Sequence, residues 1–215
     1  MARTAGARNT DYEQQRWDLA RKVRAVMFRD GGLEASLREL AAGAGTSVST
    51  LKHYFEDRAG VTSAVLESLR IDAAPFLAKA SIPTDPDLRR SLAGYVAGLR
   101  QAWFVHGVGN LEARSLATGL GSSAFGPTYV NSVLEPLLQS FEQLLRTHIQ
   151  RGQMVRCDER FAALEFLSPI VLGLFHQDSL SGRSCRPLDL DAFLERHLDA
   201  FLAAPPARAA KAGRS

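Results

Sequence analysis

The chain has 215 residues, of which 46% are hydrophobic and 23% charged, and its formal net charge is +3. Ala, Leu, Arg and Glu dominate without β-type alternation, so we expect an all-α protein of one or two domains. The small positive charge permits nucleic-acid binding without requiring it, and no apolar run approaches the ~20 residues that span a bilayer.

The N-terminal segment, residues 1–11, is rich in Arg, Gly, Ala and Thr and shows no periodicity, which predicts a flexible arm. Such an arm can touch DNA electrostatically, or it can be a frayed terminus without a role. From Tyr12 to Phe28, apolar residues recur at spacings of three and four. This pattern predicts an amphipathic helix that is ended by Asp30-Gly31-Gly32.

The stretch from Ser36 to Phe55 carries the clearest functional pattern. Three apolar residues share one helical face, a turn with Gly45 follows, and nearby hydroxyls can cap a second helix. Two short helices joined by a tight turn, the second presenting polar and cationic groups, predict a helix-turn-helix. The second helix has Val48, Leu51 and Phe55 as its inward set and Ser49, Thr50, Lys52, His53 and Tyr54 as its outward set.

A second group of predicted elements covers residues 61–126. Residues 61–71 begin a helix that Pro75 should kink or end, and a loop spans 81–86. The next helix runs from about 86 to 106, with Asp85 as its N-cap. Residues 107–126 contain five glycines, which predict a connector with a short helix around Leu111–Leu116. The inward set of the 86–106 helix is Leu88, Leu92, Tyr95, Val96, Leu99, Trp103 and Phe104.

Three more helices complete the predicted fold. The first runs from Pro127 to about Gln150 and can bend at Pro136. The second runs from Glu159 to about Gln177 behind an Asp158 cap, and the third begins at Asp189 or Asp191 and continues through Phe201. Residues 205–215 predict a disordered tail.

The helix from Glu159 to Gln177 is apolar almost all round, so it needs cover on two sides. One side can face the protein's own core, and the other favours a two-fold dimer in which two helices of each subunit form a four-helix bundle. A helix buried in the middle of a monomeric bundle is the alternative. The predicted dimerisation residues are Phe161, Leu164, Ile170, Val171, Phe175, Phe193, Leu194, Leu198 and Phe201.

The middle helices carry more large aromatic residues than packing alone requires, and several lie beside polar groups. An apolar cavity with a few polar groups is how a small-molecule site is built, although each aromatic residue can equally be core. The candidate ligand-binding residues are Trp103, Phe104, His106, Phe125, Tyr129, Phe141, Phe166 and His176.

No catalytic, metal or cofactor pattern is visible in the sequence. The motifs of serine hydrolases, zinc proteases, dinucleotide-binding proteins and P-loop proteins are missing, so we expect no enzyme and no cofactor. The two cysteines, Cys157 and Cys185, lie outside any Cys/His cluster. This spacing argues against a metal site or disulfide framework and favours a cytoplasmic protein.

Over about Ala20–Leu66 the chain resembles TetR-family transcriptional regulators. The resemblance comprises a first helix ending Met27-Phe28-Arg29-Asp30-Gly31-Gly32, then Leu40-Ala41, Ala44-Gly45-Thr46-Ser47, Val48-Ser49-Thr50-Leu51, Tyr54-Phe55 and a turn with Arg58. The C-terminal part matches the family only in helix count, helix order and the Arg151-Gly152-Gln153 turn. Family members usually carry Gly or Pro at Ser49, Tyr at Lys52 and Lys at Arg58.

Several DNA contacts follow from this interpretation. The helix-turn-helix geometry turns Ser47, Ser49, Thr50, Lys52 and His53 toward DNA, although His53 can equally pack against the first helix. The resemblance implies phosphate contacts for Thr50 and Tyr54 and a phosphate clamp at Arg58. At the preceding helix, Ser36 can bind phosphate or act as a plain N-cap, and Arg38 can reach a guanine.

The resemblance implies a bacterial regulator that binds a palindromic operator as a homodimer and is released from it by a small-molecule effector. The expected domains are residues 1–11 as an arm, 12–60 as the DNA-binding domain, 61–204 as the effector and dimerisation domain, and 205–215 as a tail. The alternative function is a helical interaction protein whose helix-turn-helix no longer reads DNA specifically.

Overall fold

The computed structural model describes residues 5–203, with side chains from Thr10 onward. Within that range the regular structure is entirely helical, as predicted, and no helix there is long and apolar enough to cross a membrane. The predicted tail, residues 205–215, lies outside the described range. The helices are α1 (Ala5–Met27), α2 (Leu37–Gly43), α3 (Val48–Phe55), α4 (Arg58–Ala80), α5 (Leu88–Phe104), α6 (Val108–Leu120), α7 (Gly126–Tyr129), α8 (Glu135–Gln150), α9 (Glu159–Leu174), α10 (Gly182–Cys185) and α11 (Leu190–Ala203).

Helix α1 begins earlier than the sequence pattern predicts. It includes residues 5–11, which we expected to belong to a flexible arm, and residues 1–4 lie outside the described range. The arm prediction is therefore wrong for residues 5–11. A helix that is already nucleated gains one hydrogen bond for each residue added, so it can extend through a segment without an apolar period.

The chain divides into two compact units that do not follow the predicted linear boundaries. The first unit comprises the chain up to Ala73 together with Arg114–Val133, and the second comprises Ala74–Ala113 and the chain from Leu134 onward. The divisions after residues 73 and 113 fall inside α4 and α6, so each of these helices contributes residues to both units. Patterns that run along the sequence cannot reveal such a division.

The first unit is built on α1–α4, whose inward residues are almost completely buried. Arg21 and Arg24 of α1 both donate to the Asp72 carboxylate of α4, at 2.8 and 2.7 Å, and Arg24 also donates to the Ser68 hydroxyl. These hydrogen bonds join the two longest helices of the unit along one side. The buried apolar residues include Ala20, Val23, Met27, Leu40, Ala41, Leu51, Phe55, Val61, Val65 and Leu66.

Helices α4 and α5 differ from the predictions at their ends. Helix α4 continues through Pro75 to Ala80, so the proline does not end it. Asp87, rather than Asp85, caps α5 by accepting from the Arg90 amide, while Asp85 accepts from the Asp87 amide and the Arg90 side chain. Phe104, predicted to face inward, is 43% exposed because it is the last residue of α5.

The glycine-rich segment 107–126 holds a longer helix than predicted. Helix α6 covers 13 residues, Val108–Leu120, and two of its glycines lie against aromatic side chains. A Cβ atom at Gly109 would lie 2.4 Å from Trp103 Nε1, and one at Gly119 would lie 2.9 Å from the Tyr129 Cβ. These glycines supply space rather than backbone flexibility.

Two π-helical turns interrupt the C-terminal helices. One, Val130–Leu134, lies just before Pro136, whose missing amide hydrogen removes a helical donor, and the other, Phe175–Ser179, follows α9. The predicted Asp158 cap of α9 is confirmed, because its carboxylate accepts from the Arg160 and Phe161 amides. Asp189 accepts from the Ala192 amide at the start of α11.

The second unit has one apolar core that draws on α5, α8, α9 and α11. Phe141 and Phe166 stack in parallel at its centre, with ring centroids 4.6 Å apart, and Phe201 packs edge-on against Phe166. Trp103 lies nearby in the same core, where its indole donates to Asp178 at 3.0 Å and its ring meets Phe175 edge-on. Aromatic pairs of this geometry add to the energy of burial.

Candidate nucleic-acid interface

The turn between α2 and α3 has the backbone that a helix-turn-helix requires. Gly45 has a φ of +67°, and the amides of Gly45 and Thr46 donate to the carbonyls of Ala42 and Ala41 at 3.1 and 2.9 Å. This pair of hydrogen bonds closes the end of α2 and reverses the chain into α3. Gly43 matters for a different reason, because a Cβ there would lie 2.7 Å from the Val26 side chain of α1.

Helix α3 has one buried and one exposed face. Leu51 and Phe55 are 0% and 4% exposed, respectively, and fix the helix against the core of the first unit. On the opposite face, Ser49, Lys52 and His53 are exposed. The division matches the predicted inward and outward sets, except that Val48, Thr50 and Tyr54 are half-buried.

Hydroxyl groups cap both short helices. The Ser47 hydroxyl accepts from the Thr50 amide at 3.0 Å and lies 2.7 and 2.8 Å from the Ser49 and Thr50 hydroxyls. At α2, the Ser36 hydroxyl accepts from the Glu39 amide, and the Glu39 carboxylate accepts from both the amide and the hydroxyl of Ser36. These hydrogen bonds from Ser36 hold the pKa of Glu39 below its usual value. Ser36 thus acts as an N-cap, which was one of its two predicted roles.

The C-terminal half of α3 packs against the N-terminal half of α1. Tyr12 contacts His53 and Tyr54, with ring centroids 6.0 and 4.9 Å apart, and the Tyr54 hydroxyl donates to the Gln15 side chain at 2.8 Å. His53 therefore packs on the first helix, as the alternative interpretation proposed, while part of it stays exposed. The phosphate contact of Tyr54 stays a prediction, and its hydroxyl already has a partner. No local pattern pointed to Tyr12 or Gln15, because Gln15 and Tyr54 are 39 residues apart in the sequence.

Arg58 occupies an unexpected position for a predicted phosphate clamp. Its guanidinium Nε and Nη2 donate to the carbonyls of Ala35 and Leu33 at 3.2 and 3.0 Å, and Nη1 donates to the Thr62 hydroxyl. Burial lowers the pKa of this arginine. Arg38, by contrast, is exposed on α2.

The predicted ligand-binding residues do not form one cluster within either unit. In the second unit, Phe141 and Phe166 are fully buried and Trp103 is 6% exposed, whereas Phe104 and His106 are exposed. His176 is half-buried and its ring bonds the Gln177 side chain. Phe125 and Tyr129 belong to the first unit, where Tyr129 is buried. Ligand binding by these residues stays a prediction.

The predicted dimerisation residues separate into three groups by their exposure. Ile170, Leu194 and Leu198 are at most 4% exposed and belong to the core of the second unit, so a partner subunit cannot reach them and the predicted set is corrected. On the outer face of α9, Phe161 and Leu164 are 58% and 38% exposed. Leu172, three turns further along this face than Phe161, is 67% exposed. Val171, Phe175, Phe193 and Phe201 are half-buried.

The described residues contain no group of three or more His, Cys, Asp or Glu side chains able to hold a metal ion. Cys157 is buried, and burial raises the pKa of its thiol, whereas Cys185 is exposed. The exposed polar residues of α2 and α3 are the clearest candidate for recognition of another molecule.

Comparison with known proteins identifies the fold. No family model and no curated protein sequence matches the chain. Among solved structures, a protein of Mesorhizobium loti assigned to the TetR family of transcriptional regulators is similar, with a TM-score of 0.72 and 17% identity over 89% of this chain and 96% of that one.

Two further solved structures share the arrangement. SmeT, the repressor of the multidrug efflux pump SmeDEF of Stenotrophomonas maltophilia, has a TM-score of 0.59 and 17% identity over 87% of this chain and 88% of its own. The transcriptional regulator FadR of Bacillus subtilis, solved in complex with stearoyl-CoA, has a TM-score of 0.63 and 16% identity over 86% of this chain and 97% of its own. The chain therefore has the all-helical fold of the TetR-family transcriptional regulators.

Proposed function

We propose that this protein is a cytoplasmic, ligand-responsive transcriptional regulator of the TetR family. In this proposal it binds a palindromic operator as a homodimer, represses transcription there, and leaves the DNA when a small molecule binds. The observation that carries the proposal is the helix-turn-helix, in which α3 buries Leu51 and Phe55 and exposes Ser49, Lys52 and His53.

The exposed face of α3 suits the major groove of DNA. Lys52 is the cation nearest the middle of this face, and it can bind either a phosphate or the acceptor edge of guanine. Ser47 and Ser49 add hydroxyl groups at the N-terminal end of α3, the end that approaches the bases in helix-turn-helix proteins. Arg38, exposed on α2, can reach the same groove or its rim. Thr50, Tyr54 and Ser36 complete the proposed contact set.

Dimerisation is supported by the outer face of α9. Phe161, Leu164 and Leu172 expose apolar surface along one side of a helix whose other side is buried in the core. Contiguous exposed apolar surface marks an interaction site more often than isolated exposed residues do. A two-fold dimer would also place two α3 helices at half-sites about 34–36 Å, or a multiple of this spacing, apart.

Effector binding is supported by the fold, by the stearoyl-CoA complex of one structural neighbour, and by the aromatic residues of the second unit. A thermal-shift screen of small molecules tests it, because a ligand specific to the native state raises the melting temperature. A screen in which no compound raises the melting temperature would count against a ligand-responsive regulator.

The central experiment is a DNA-binding titration. A duplex selected by the wild-type protein from a random-sequence library serves as the probe, and affinity is measured at several salt concentrations. We expect Lys52→Ala to weaken DNA binding about tenfold or more. Thr50→Ala should also bind the duplex more weakly than the wild-type protein does. Lys79→Ala is the matched control, because Lys79 is an exposed lysine of α4 outside the helix-turn-helix.

The alternative function, a helical interaction protein that no longer reads DNA, makes the opposite prediction. Neutralisation of phosphates gives DNA binding a steep negative dependence on salt. A wild-type protein that binds no duplex, or a Lys52→Ala variant that binds as well as Lys79→Ala, would exclude α3 as the reading helix and favour the alternative.

A further inference from the structure

Arg58 ties the loop before α2, which consists of a 3₁₀ turn (Gly32–Glu34) and Ala35, to the start of α4. Two carbonyls of this loop, those of Leu33 and Ala35, accept from guanidinium Nη2 and Nε at 3.0 and 3.2 Å. The first hydrogen bond of α2 runs from the Leu40 amide to the Ser36 carbonyl. The Leu33 and Ala35 carbonyls come before Ser36 in the chain, so neither takes part in the hydrogen bonds of α2. A guanidinium is planar and presents its donors as a fork, so it can hold two neighbouring carbonyls at a fixed separation.

The rest of the guanidinium is also held by the protein. Nη1 donates to the hydroxyl of Thr62, one helical turn along α4, and lies 4.0 Å from the Met27 sulfur of α1. Thr62 is 2% exposed, and its hydroxyl donates in turn to the Arg58 carbonyl at 3.0 Å. All three guanidinium nitrogens thus donate within the first unit, where burial also lowers the pKa of Arg58.

We infer that Arg58 is a positioning residue, not a phosphate contact, and that it sets the place of the first turn of α2 for DNA binding. This inference rests on the proposed function. The loop that Arg58 holds leads directly into Ser36, the N-cap of α2, and then to Arg38 of α2. Both residues face DNA in that proposal. Because only two residues separate the end of α3 from Arg58, the same side chain also links the start of α2 to the end of α3.

Substitutions at Arg58 and Thr62 separate positioning from phosphate binding. The duplex selected by the wild-type protein is titrated with Arg58→Lys, Arg58→Gln, Thr62→Val and the double variant Arg58→Gln/Thr62→Val. Arg70→Gln is the matched control, because Arg70 is an exposed arginine of the same helix. Amide hydrogen exchange of each free protein reports whether the loop at 33–35 and the start of α2 have loosened.

A positioning role predicts that Arg58→Lys and Arg58→Gln both weaken binding about tenfold, because neither side chain presents two donor nitrogens at the fixed separation of the guanidinium fork. The slope of affinity against salt stays that of wild type, and exchange rises at the 33–38 amides but not in α1. Thr62→Val also weakens binding, even though Thr62 is buried and does not contact DNA itself. The double variant binds no worse than Arg58→Gln, because both substitutions remove the same interaction.

A phosphate contact predicts a different set of results. Arg58→Lys would bind nearly as well as wild type, Arg58→Gln would lower the salt slope by about 0.9 for each phosphate that is no longer neutralised, and Thr62→Val would have no effect. Any of these three results overturns the inference, as does faster exchange throughout the first unit. If the Arg58 variants do not fold, Thr62→Val alone decides, because undiminished binding by it contradicts the inference. If the wild-type protein binds no duplex, the proposed function is overturned together with the inference. The wild-type titration shows this result without the variants, so it is distinguishable from a failure of the inference alone.

Discussion

Replacement of Gly109 by alanine should destabilise the protein, although the same change in a helix usually stabilises. Gly109 lies in the first turn of α6 without a positive φ, so helix propensity alone would favour alanine by up to about 1 kcal/mol. The added Cβ would, however, lie 2.4 Å from Nε1 and 2.7 Å from Cδ1 of Trp103. These distances are about 1 Å shorter than ordinary contact, so the indole has to move.

The indole has little freedom to move. Trp103 is 6% exposed, its Nε1 donates to the Asp178 carboxylate at 3.0 Å, and its ring meets Phe175 edge-on with centroids 5.0 Å apart. Overpacking costs about 1–3 kcal/mol, and loss of a hydrogen bond to a charged group costs about 1.5–3 kcal/mol. After the gain in propensity, we expect Gly109→Ala to lower the free energy of unfolding by about 1.5–5 kcal/mol.

Gly98→Ala provides the matched control. Gly98 lies in the interior of α5, in the same compact unit, and a Cβ there has no atom of another group within 4 Å. This variant should gain about 0.5–1 kcal/mol. Urea unfolding followed by circular dichroism at several protein concentrations measures both changes, and tryptophan fluorescence reports the displaced indole. Equal or greater stability of Gly109→Ala would refute the proposed crowding against Trp103.

Three further predictions follow from single contacts. Burial raises the pKa of Tyr95 from 10.0 to about 12, so the unfolded chain loses this proton first and stability should fall by up to about 3 kcal/mol as the pH rises from 10 to 12. In urea titrations between pH 10 and 12, the free energy of unfolding of Tyr95→Phe should therefore fall less than that of the wild-type protein. The same pH dependence in both proteins would contradict the prediction. Asp158→Ala should cost about 1 kcal/mol by uncapping α9, whereas Asp158→Asn should keep most of the stability. Leu172→Glu should shift sedimentation toward monomer if α9 is the dimer face, whereas Leu180→Glu, at a site 71% exposed, should not.

Local chemistry accounts for the parts of the fold that were predicted well. The Gly45 turn, the Ser47 and Asp158 caps and the inward positions of Leu51 and Phe55 all depend on residues within a few positions of one another. The N-cap of α5 was misplaced by two residues because Asp85 and Asp87 are both good caps, and only the folded chain decides which amide each one binds.

The remaining features depend on residues that are distant in the sequence. Gly109 and Gly119 looked like loop glycines, because the aromatic rings that need their space were not known to be neighbours. Arg58 looked like a surface cation, although its acceptors are the carbonyls of Leu33 and Ala35, at least 23 residues away. The division into two units inside α4 and α6 was likewise beyond any linear pattern.

The two π-helical turns affect how this sequence aligns with those of its relatives. A π-turn holds one more residue than the α-helical turn it replaces, and one residue corresponds to about 100° of rotation around a helix. Past Val130–Leu134, every position of α8 is therefore rotated relative to a chain without that turn. We expect a relative that lacks the turn to be one residue shorter here. If the alignment has no gap at this point, Phe141 and Leu145 would be aligned with residues on a different face of that protein's helix.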